Sequence, residues 1–554
     1  MSGSISVTGI GESQMHAAGM KNNDTRARNR VRGGARLLAA ALGIMVSLGS
    51  LAEEAAEEQA DDQFEQRQRG SLATFGGVFS ENCAVCHGEN LQGAAQGTPL
   101  VGVDLIHGDA METLIQGIAD GYPDKGMPAW SSTFTEEEIK SLALWISENR
   151  GGMLYSEFNI TRELLIPTET LKTERYDVRI EPVISGLDPL PYSIAPLPDG
   201  RILLTEKMRG MRVISADGEK SDLIEGTPTV YDDAPQRGEL LYGLGWLLDV
   251  AVHPAYEENG WIYLHYTDRC KDCNAVSRET ERPVSMNALI RGRIQDGKWV
   301  DEETIWKADI ESYSTVTDVA AGGRIAFDPE GYVFISVGMK SMDRIQDLRS
   351  PHGKTHRVHD DGRIPTDNPY IDNPNAGNTI WTYGHRSPQG LEFNTQTRQL
   401  WGTEHGPRGG DEVNLLLPGR NYGWPLYSKG QNYNGTKVDW GKEFGIEFEL
   451  KDIEQPVVDL TPSPAVSSFV FYEGNAFPAW RHNIIVGSLK AAHLYRIVIE
   501  DNRFVHKELL IENLARIRDV EVGPGGEIYL LLEHAAGGQI VRVVPADRQI
   551  AGAD

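Results

Sequence analysis

Leu197-Pro198-Asp199-Gly200-Arg201-Ile202-Leu203-Leu204-Thr205-Glu206 joins a Pro-Asp-Gly turn to a run of strand-forming residues. Pro presets the first turn angle, Gly supplies a positive φ, and the apolar run that follows has a strand's composition. The pattern returns at His253-Pro254 leading to Gly260 through Tyr266, at Asp328 through Ser336, and from Phe393 to Glu404. Two further copies run from Phe477-Pro478 into Asn483 through Gly487, and from Gly523 through Leu531. Copies spaced roughly 45 to 85 residues apart predict one blade each of a six-bladed β-propeller. Two stacked β-sandwiches are the alternative. Propellers present ligands at one mouth of the central channel, so site residues are expected on loops from several blades.

Outward from the repeats, the 554-residue chain carries 53 Lys and Arg against 80 Asp and Glu, a formal charge of −27. That balance argues against nucleic acid or an anionic membrane as the main partner, while leaving room for a local basic pocket. With 40% hydrophobic residues the chain buries real cores, and 59 Gly with 28 Pro suit a turn-rich β protein.

Ahead of the repeats the pattern is helical. Cys83-Ala84-Val85-Cys86-His87 has the spacing of covalent haem c attachment: two thiols bond the vinyl groups and the adjacent imidazole becomes an axial ligand. Gly126-Met127-Pro128 offers a thioether for the other axial position. Helices are expected over residues 72–81, over 111–120, and after Thr135, where Glu136, Glu137 and Glu138 fill the first turn and Ile139, Leu142, Leu144 and Trp145 the apolar side. His107, before a helix, reads as a cap or surface residue. This segment resembles the small class I cytochromes c, which implies an all-α domain at 70–155 with haem c on Cys83, Cys86, His87 and Met127.

The N-terminus reads as an export signal over 1–52: Arg and Lys residues, an apolar run from Leu37 to Leu51, and small residues that place cleavage after Ala52. The protein is then periplasmic, and a membrane is involved only if the signal stays uncleaved; the run is short for a span, which needs about 20 residues. Residues 53–69 read as an acidic tether, 156–173 as a linker, and 174–546 as the propeller. Cys270-Lys271-Asp272-Cys273 lacks a following His and reads as a local disulfide.

The loops that decide the chemistry are Tyr383 through Leu391, Glu404 through Asn414, Asn421 through Pro425, Val486 through Lys490 and Arg516 through Val520. In these the chain resembles the soluble aldose sugar dehydrogenases that use pyrroloquinoline quinone, the glucose/sorbosone dehydrogenase family. The resemblance spans the β region. It implies that Arg386, Ser387, Tyr433, Lys490, Arg516 and Arg518 hold a quinone bearing three carboxylates. It further implies a calcium ion on the carbonyls of Gly406 and Pro407, acting as a Lewis acid, and a second, structural calcium on Glu412 and the Tyr422 carbonyl.

Three positions depart from the family pattern. Ala320 stands where the family has its catalytic His, Leu244 stands at a cofactor-binding Gln, and Ser387 at an Asn. Loss of a general base costs about 10²–10⁴ in rate. Three readings follow: another residue serves as base, with His405 and Asp318 nearest; the substrate needs no such base; or the propeller is a degenerate binding module on an electron-transfer cytochrome. The first two make the chain a dehydrogenase acting on CH–OH of a small sugar or alcohol, with the fused haem as outlet toward a downstream electron acceptor.

Overall fold

The computed structural model describes residues 75–152, 160–161, 163–234, 236–237, 240–241 and 243–546; the predicted signal and tether lie outside them. Each of the six quoted turn-and-strand segments contributes to a different blade. After the Pro-Asp-Gly turn, Asp199 Oδ1 accepts from the Arg201 amide at 3.1 Å and Gly200 takes φ +86°. Gly331 does the same at +83° in the third copy. These are angles at which a Cβ is strained.

Blade I is formed by Pro191–Pro196, Ile202–Glu206 and Gly210–Ile214. Blades II to V have four strands each, beginning on the inner edge with Leu247–Val252, Gly322–Phe327, Ser387–Asn394 and Val466–Phe471. Blade VI joins the two ends of the propeller: Leu171–Lys172 pairs with Asp177–Leu187, which pairs with Gly538–Pro545, followed inward by Ile528–Glu533 and Arg516–Val522. The inner strands abut one another in sequence, and the ring closes from Arg516–Val522 onto Pro191–Pro196.

The apolar runs become the second strands of their blades. Ile202–Glu206 and Ile528–Glu533 are buried at every position. Blades pack face to face, so a strand near the axis has protein on both sides. Side-chain staples cross between blades: Thr205 Oγ1 donates to the Leu248 carbonyl at 2.6 Å, Asp249 Oδ2 accepts from the Ile325 amide at 2.8 Å, and Asp519 Oδ2 accepts from the Ile194 amide at 2.8 Å. Arg324 bridges Asp249 at 3.0 Å and Asp519 at 2.7 Å and donates to the Gln389 carbonyl. The Gly322-Gly323-Arg324 stretch therefore ties four blades at the axis.

The N-terminal segment forms α1 (75–82), α2 (Ala84–His87), α3 (Met111–Asp120) and α4 (Glu136–Arg150). Thr135 and Glu138 form a capping box: Thr135 Oγ1 accepts the Glu138 amide and Glu138 accepts the Thr135 amide at 2.8 Å, satisfying two otherwise orphaned donors. Ile139, Leu142, Ala143 and Ile146 of α4 pack on Phe79, Leu91, Leu114 and Ile118. Cys270 and Cys273 form the expected disulfide. Among the described residues no helix is long and apolar enough to cross a membrane.

Candidate functional site

Two sites take shape, and α4 joins them. In the helical unit, His87 Nδ1 lies 2.8 Å from the Thr98 carbonyl, which fixes the ring and leaves Nε2 as the nitrogen available to a ligand. Cys83 and Cys86 are free thiols. Burial, then the neighbouring Cys86, pushes the Cys83 thiol up to about 11. A side chain at Gly97 would collide with Cys86, its Cβ lying 2.4 Å from the Cys86 carbonyl oxygen, so the loop closes directly over the attachment motif. Met127 pairs with Tyr122 across a tight turn through Gly126, and Tyr122 stacks on His107 at 4.3 Å.

At the mouth of the propeller axis lies a pocket lined by Lys207, Trp246, Asp318, Arg516, Arg518 and Glu533, among others. Glu533, 1% exposed, ends its strand between three cations. Its Oε2 accepts from Arg516 Nε at 2.8 Å, and its Oε1 accepts from Arg518 Nε at 2.7 Å and from Lys207 Nζ at 3.2 Å. Burial alone would raise this carboxyl, but Arg518, Lys207 and Arg516 outweigh it and hold it well below the usual carboxylate range. Arg518 also donates to Gln389 Oε1 at 3.2 Å, and Gln389 donates to Ser387 Oγ at 3.0 Å. That relay reaches Ser387, next to Arg386.

Arg386 forms a second cluster. Its guanidinium donates to Tyr433 Oη at 3.0 Å and to the His405 carbonyl at 3.2 Å, and it lies 5.3 Å from the Trp424 ring centre. Its backbone amide is bound by Glu404, whose other oxygen accepts from His385 at 2.9 Å. Arg386 Nε, His405 Nε2 and Trp424 Nε1 are buried with no hydrogen-bond partner among the described residues. Burial, outweighing the pull of Asp411, holds the His405 imidazole below its ordinary value.

Lys490 lies 3.9 Å from Glu148 of α4. Glu148 Oε2 also accepts from Arg408 Nη2 at 3.0 Å. Arg408 lies in the loop that carries Gly406 and Pro407, and its guanidinium sits 4.8 Å from the ring centre of Phe75 on α1. Around this ion pair, Lys140 donates to the Lys429 carbonyl at 2.8 Å, and Ser141 donates to Gln431 Oε1 at 2.9 Å. The helical unit is thus packed on the loop at the edge of the propeller site.

The candidate bases differ in their freedom. Asp318 accepts from Lys340 Nζ at 2.6 Å, Thr267 Oγ1 at 2.6 Å, the Gly245 amide at 2.7 Å and Ser285 Oγ at 2.8 Å. All of its near lone pairs are engaged, and the 3₁₀ turn Asp318–Ala320 is locked to blade II. Ala320 contributes only a methyl group beside the pocket-lining Asp318 and Val319. Leu244 follows Gly243, whose carbonyl accepts the Asp318 amide, and its own carbonyl accepts from Arg269.

Glu412 faces Glu404 on one neighbouring strand and Asp459 on the other. Burial, then the charge of Glu404, pushes the Glu412 carboxyl up to about 8. Tyr422 stacks on His385 at 4.9 Å behind the same loop.

Sequence reasoning missed Lys207, Glu533, Gln389 and Glu148. One signal was present: the second strands of blades I, IV and VI carry a Glu at or one residue before the mouth-side end, Glu206, Glu404 and Glu533, and all three are buried. Buried carboxylates at one repeat position require buried cations beside them.

Comparison with known proteins agrees with this architecture. Residues 189–542 match the family model described as Glucose / Sorbosone dehydrogenase, and residues 70–146 match the one described as cytochrome c oxidase, cbb3-type, subunit III. The aldose sugar dehydrogenase YliI of Escherichia coli (strain K12) is 35% identical over 66% of this chain and 93% of its own length. Quinoprotein glucose dehydrogenase B of Acinetobacter calcoaceticus is 27% identical over 66% and 87%. A crystal structure of a glucose dehydrogenase aligns over 66% of this chain and 99% of its own, at 33% identity and a TM-score of 0.58. The chain belongs to the glucose/sorbosone dehydrogenase family, with a cytochrome c-type domain joined ahead of its propeller.

Proposed function

We propose that this chain is an exported quinohaemoprotein whose propeller binds pyrroloquinoline quinone and calcium, oxidises an aldose or another alcohol at CH–OH, and passes the electrons to haem c. The observation that carries the reading is the buried cationic pocket at the axis mouth of a sugar-dehydrogenase propeller, with the haem-motif domain packed on the adjoining loop.

The residues present fit each group. The free thiols of Cys83 and Cys86, the oriented His87 ring and the Met127 turn suit a haem c with a thioether–imidazole iron. Arg516 and Arg518, with Arg386 and Lys490 for further carboxylates, suit a triacid, and the orphaned Arg386 Nε is a donor awaiting an acceptor. Among the described residues no three His, Cys, Asp or Glu side chains converge as a metal cluster. Calcium would therefore lean on the Gly406 and Pro407 carbonyls, and a second, structural calcium on Glu412, which faces Glu404 and Asp459, with the Tyr422 carbonyl.

When bound, the quinone supplies a two-electron acceptor, calcium a Lewis acid and haem a one-electron outlet. This chain's residues bind and orient around that chemistry. Arg386, fixed by Tyr433, and the Arg518–Gln389–Ser387 relay hold the cofactor edge in register. His405, with an open ring nitrogen, is the candidate to take the hydroxyl proton; Asp318, fully hydrogen-bonded, is a positioning residue for the 3₁₀ turn. Export is proposed through cleavage after Ala52, with domains at 70–155 and 174–546.

One observation favours a second reading, a degenerate binding module on an electron-transfer cytochrome: the methyl of Ala320 and the side chain of Leu244 stand where the family places a base and a polar cofactor contact. A single titration separates the two. Purified protein is given the quinone and calcium, then a panel of aldoses and alcohols, and the haem absorption is followed. Haem reduction by any of them supports the dehydrogenase, binding without reduction supports the module, and no quinone binding refutes the quinone-dependent dehydrogenase outright.

A further inference from the structure

Lys207 matches none of the cations expected from the family pattern, yet it lines the pocket beside Arg516 and Arg518. Resting on the quinone reading above, we propose that Lys207 is a fifth cation for the triacid ligand and that it couples uptake of the ligand to uptake of one proton.

The geometry is that of an anion cradle with an internal plug. Lys207, Arg516 and Arg518 all converge on one carboxylate, that of Glu533, at 2.7 to 3.2 Å. Three cations around one acid leave a surplus of two positive charges in a buried pocket, an arrangement that favours an entering anion. Lys207 Nζ also lies 5.5 Å from the centre of the Tyr192 ring and 5.9 Å from that of Trp246, so aromatic faces steer the ammonium along the pocket wall. Trp246 Nε1 is buried without a partner among the described residues, a further donor in the same pocket.

Every charged group facing Lys207 is fixed. Glu533 comes from the blade VI strand Ile528–Glu533, and Arg516 and Arg518 come from the strand beside it. The Tyr192 hydroxyl donates to the Gly322 carbonyl at 2.6 Å, and burial raises its pKa further, so it stays neutral. On its own blade, Glu206 is occupied by Arg212 at 2.9 Å, and across the pocket Asp318 is occupied by Lys340. Of the three cations around Glu533, Lys207 is thus the one able to change charge near neutrality, because Arg does not. Burial, followed by the repulsion of Arg518, brings its ammonium down to about 8 against the pull of Glu533. A carboxylate arriving beside it favours the ammonium again. Above pH 8 the empty pocket has lost that proton and must recover it to bind, so affinity falls by up to tenfold per pH unit. Below pH 8 affinity is flat.

Direct binding of pyrroloquinoline quinone to the full haem-loaded chain, with calcium present, tests this by quenching of tryptophan fluorescence between pH 6 and 9.5. The wild type is expected to show a constant Kd up to about pH 8 and a roughly tenfold rise per unit beyond it, with one proton taken up per quinone in paired buffers. Lys207→Arg is expected to bind with wild-type affinity and to lose the alkaline weakening. Lys207→Met is expected to bind at least tenfold more weakly at pH 7, with no alkaline weakening below pH 9.5. Wild-type affinity in Lys207→Met, or an alkaline slope that survives in Lys207→Arg, overturns the role of Lys207 and leaves the quinone reading standing. Absence of quinone binding by the wild type at every pH overturns both.

Discussion

Glu148→Ala is the perturbation that the packing of α4 makes most decisive. Arg408 has no exposed side-chain surface, its Nε and Nη1 have no partner among the described residues, and its charge is met by Glu148 at 3.0 Å. Were this pair on the surface, its loss would cost about 0–1 kcal/mol. Here the change leaves a guanidinium buried without its counterion, and the expected cost is about 3–5 kcal/mol. At about 1.4 kcal/mol per factor of ten, that opens the interface between the helical unit and the propeller by roughly two to four decades. Hydrogen–deuterium exchange of α4 and of the segment 428–437 reads that opening locally, without requiring the whole chain to unfold in two states. A double-mutant cycle isolates the pair: Arg408→Met alone should also be costly, whereas Glu148→Leu with Arg408→Met should restore most of the protection, because apolar replacement of both partners removes the uncompensated charge. A change in exchange of less than about threefold for Glu148→Ala would refute the assignment, showing that the Lys140–Lys429 and Ser141–Gln431 hydrogen bonds hold the interface unaided.

Three other outcomes follow from the same physics. Burial holds His265, His352 and His356 down at about 3, so each is neutral in the fold and protonated below pH 6.5 when unfolded; stability is therefore intact above pH 6.5 and falls as pH drops, with a slope approaching about 4 kcal/mol per unit for three protons, seen as a steep decline of melting temperature between pH 6.5 and 5. Asp318→Ala strips a buried Lys340 of its 2.6 Å partner and should lower stability by about 3–5 kcal/mol in urea melts of the quinone-free protein, an effect that a solely catalytic acid would not produce. Met127→Ala should lower the haem potential and change the absorption spectrum, and an unaltered spectrum would exclude Met127 as the iron ligand.

The six turn-and-strand copies were legible because each is local: a Pro, Asp or Gly turn and the apolar run behind it lie within about ten residues. The closing strand was not. Asp177–Leu187 contains Pro182 and several polar residues, reads as an irregular edge, and finds its partner more than 350 positions away, where Arg542 bonds Glu181. For the site, the family motifs led to Arg386, Lys490, Arg516 and Arg518; Glu533 joins Arg516 to Arg518, and Gln389 runs from Arg518 to Ser387 beside Arg386. Lys207 and Glu533 escaped because each alone looks like an ordinary strand-end charge; only closure of the ring brings blade VI against blade I. Glu148 and Ser141 escaped for a related reason. On a single amphipathic helix they belong to the polar face, and nothing local shows that this face is covered by a loop nearly 300 residues downstream.

The splice in blade VI also bears on the order of assembly. Contacts within the helical unit run between residues close in sequence, so that unit can fold, and its thiols can be alkylated by haem, while most of the chain is still being made. The propeller has no such freedom. Its first long strand waits for Gly538–Pro545 at the far end, and until they meet the ring is an open arc with an unpaired edge on either side. A chain that stops short of residue 538 should therefore carry a finished cytochrome on an unclosed propeller, coloured by haem yet prone to join edge to edge with its neighbours.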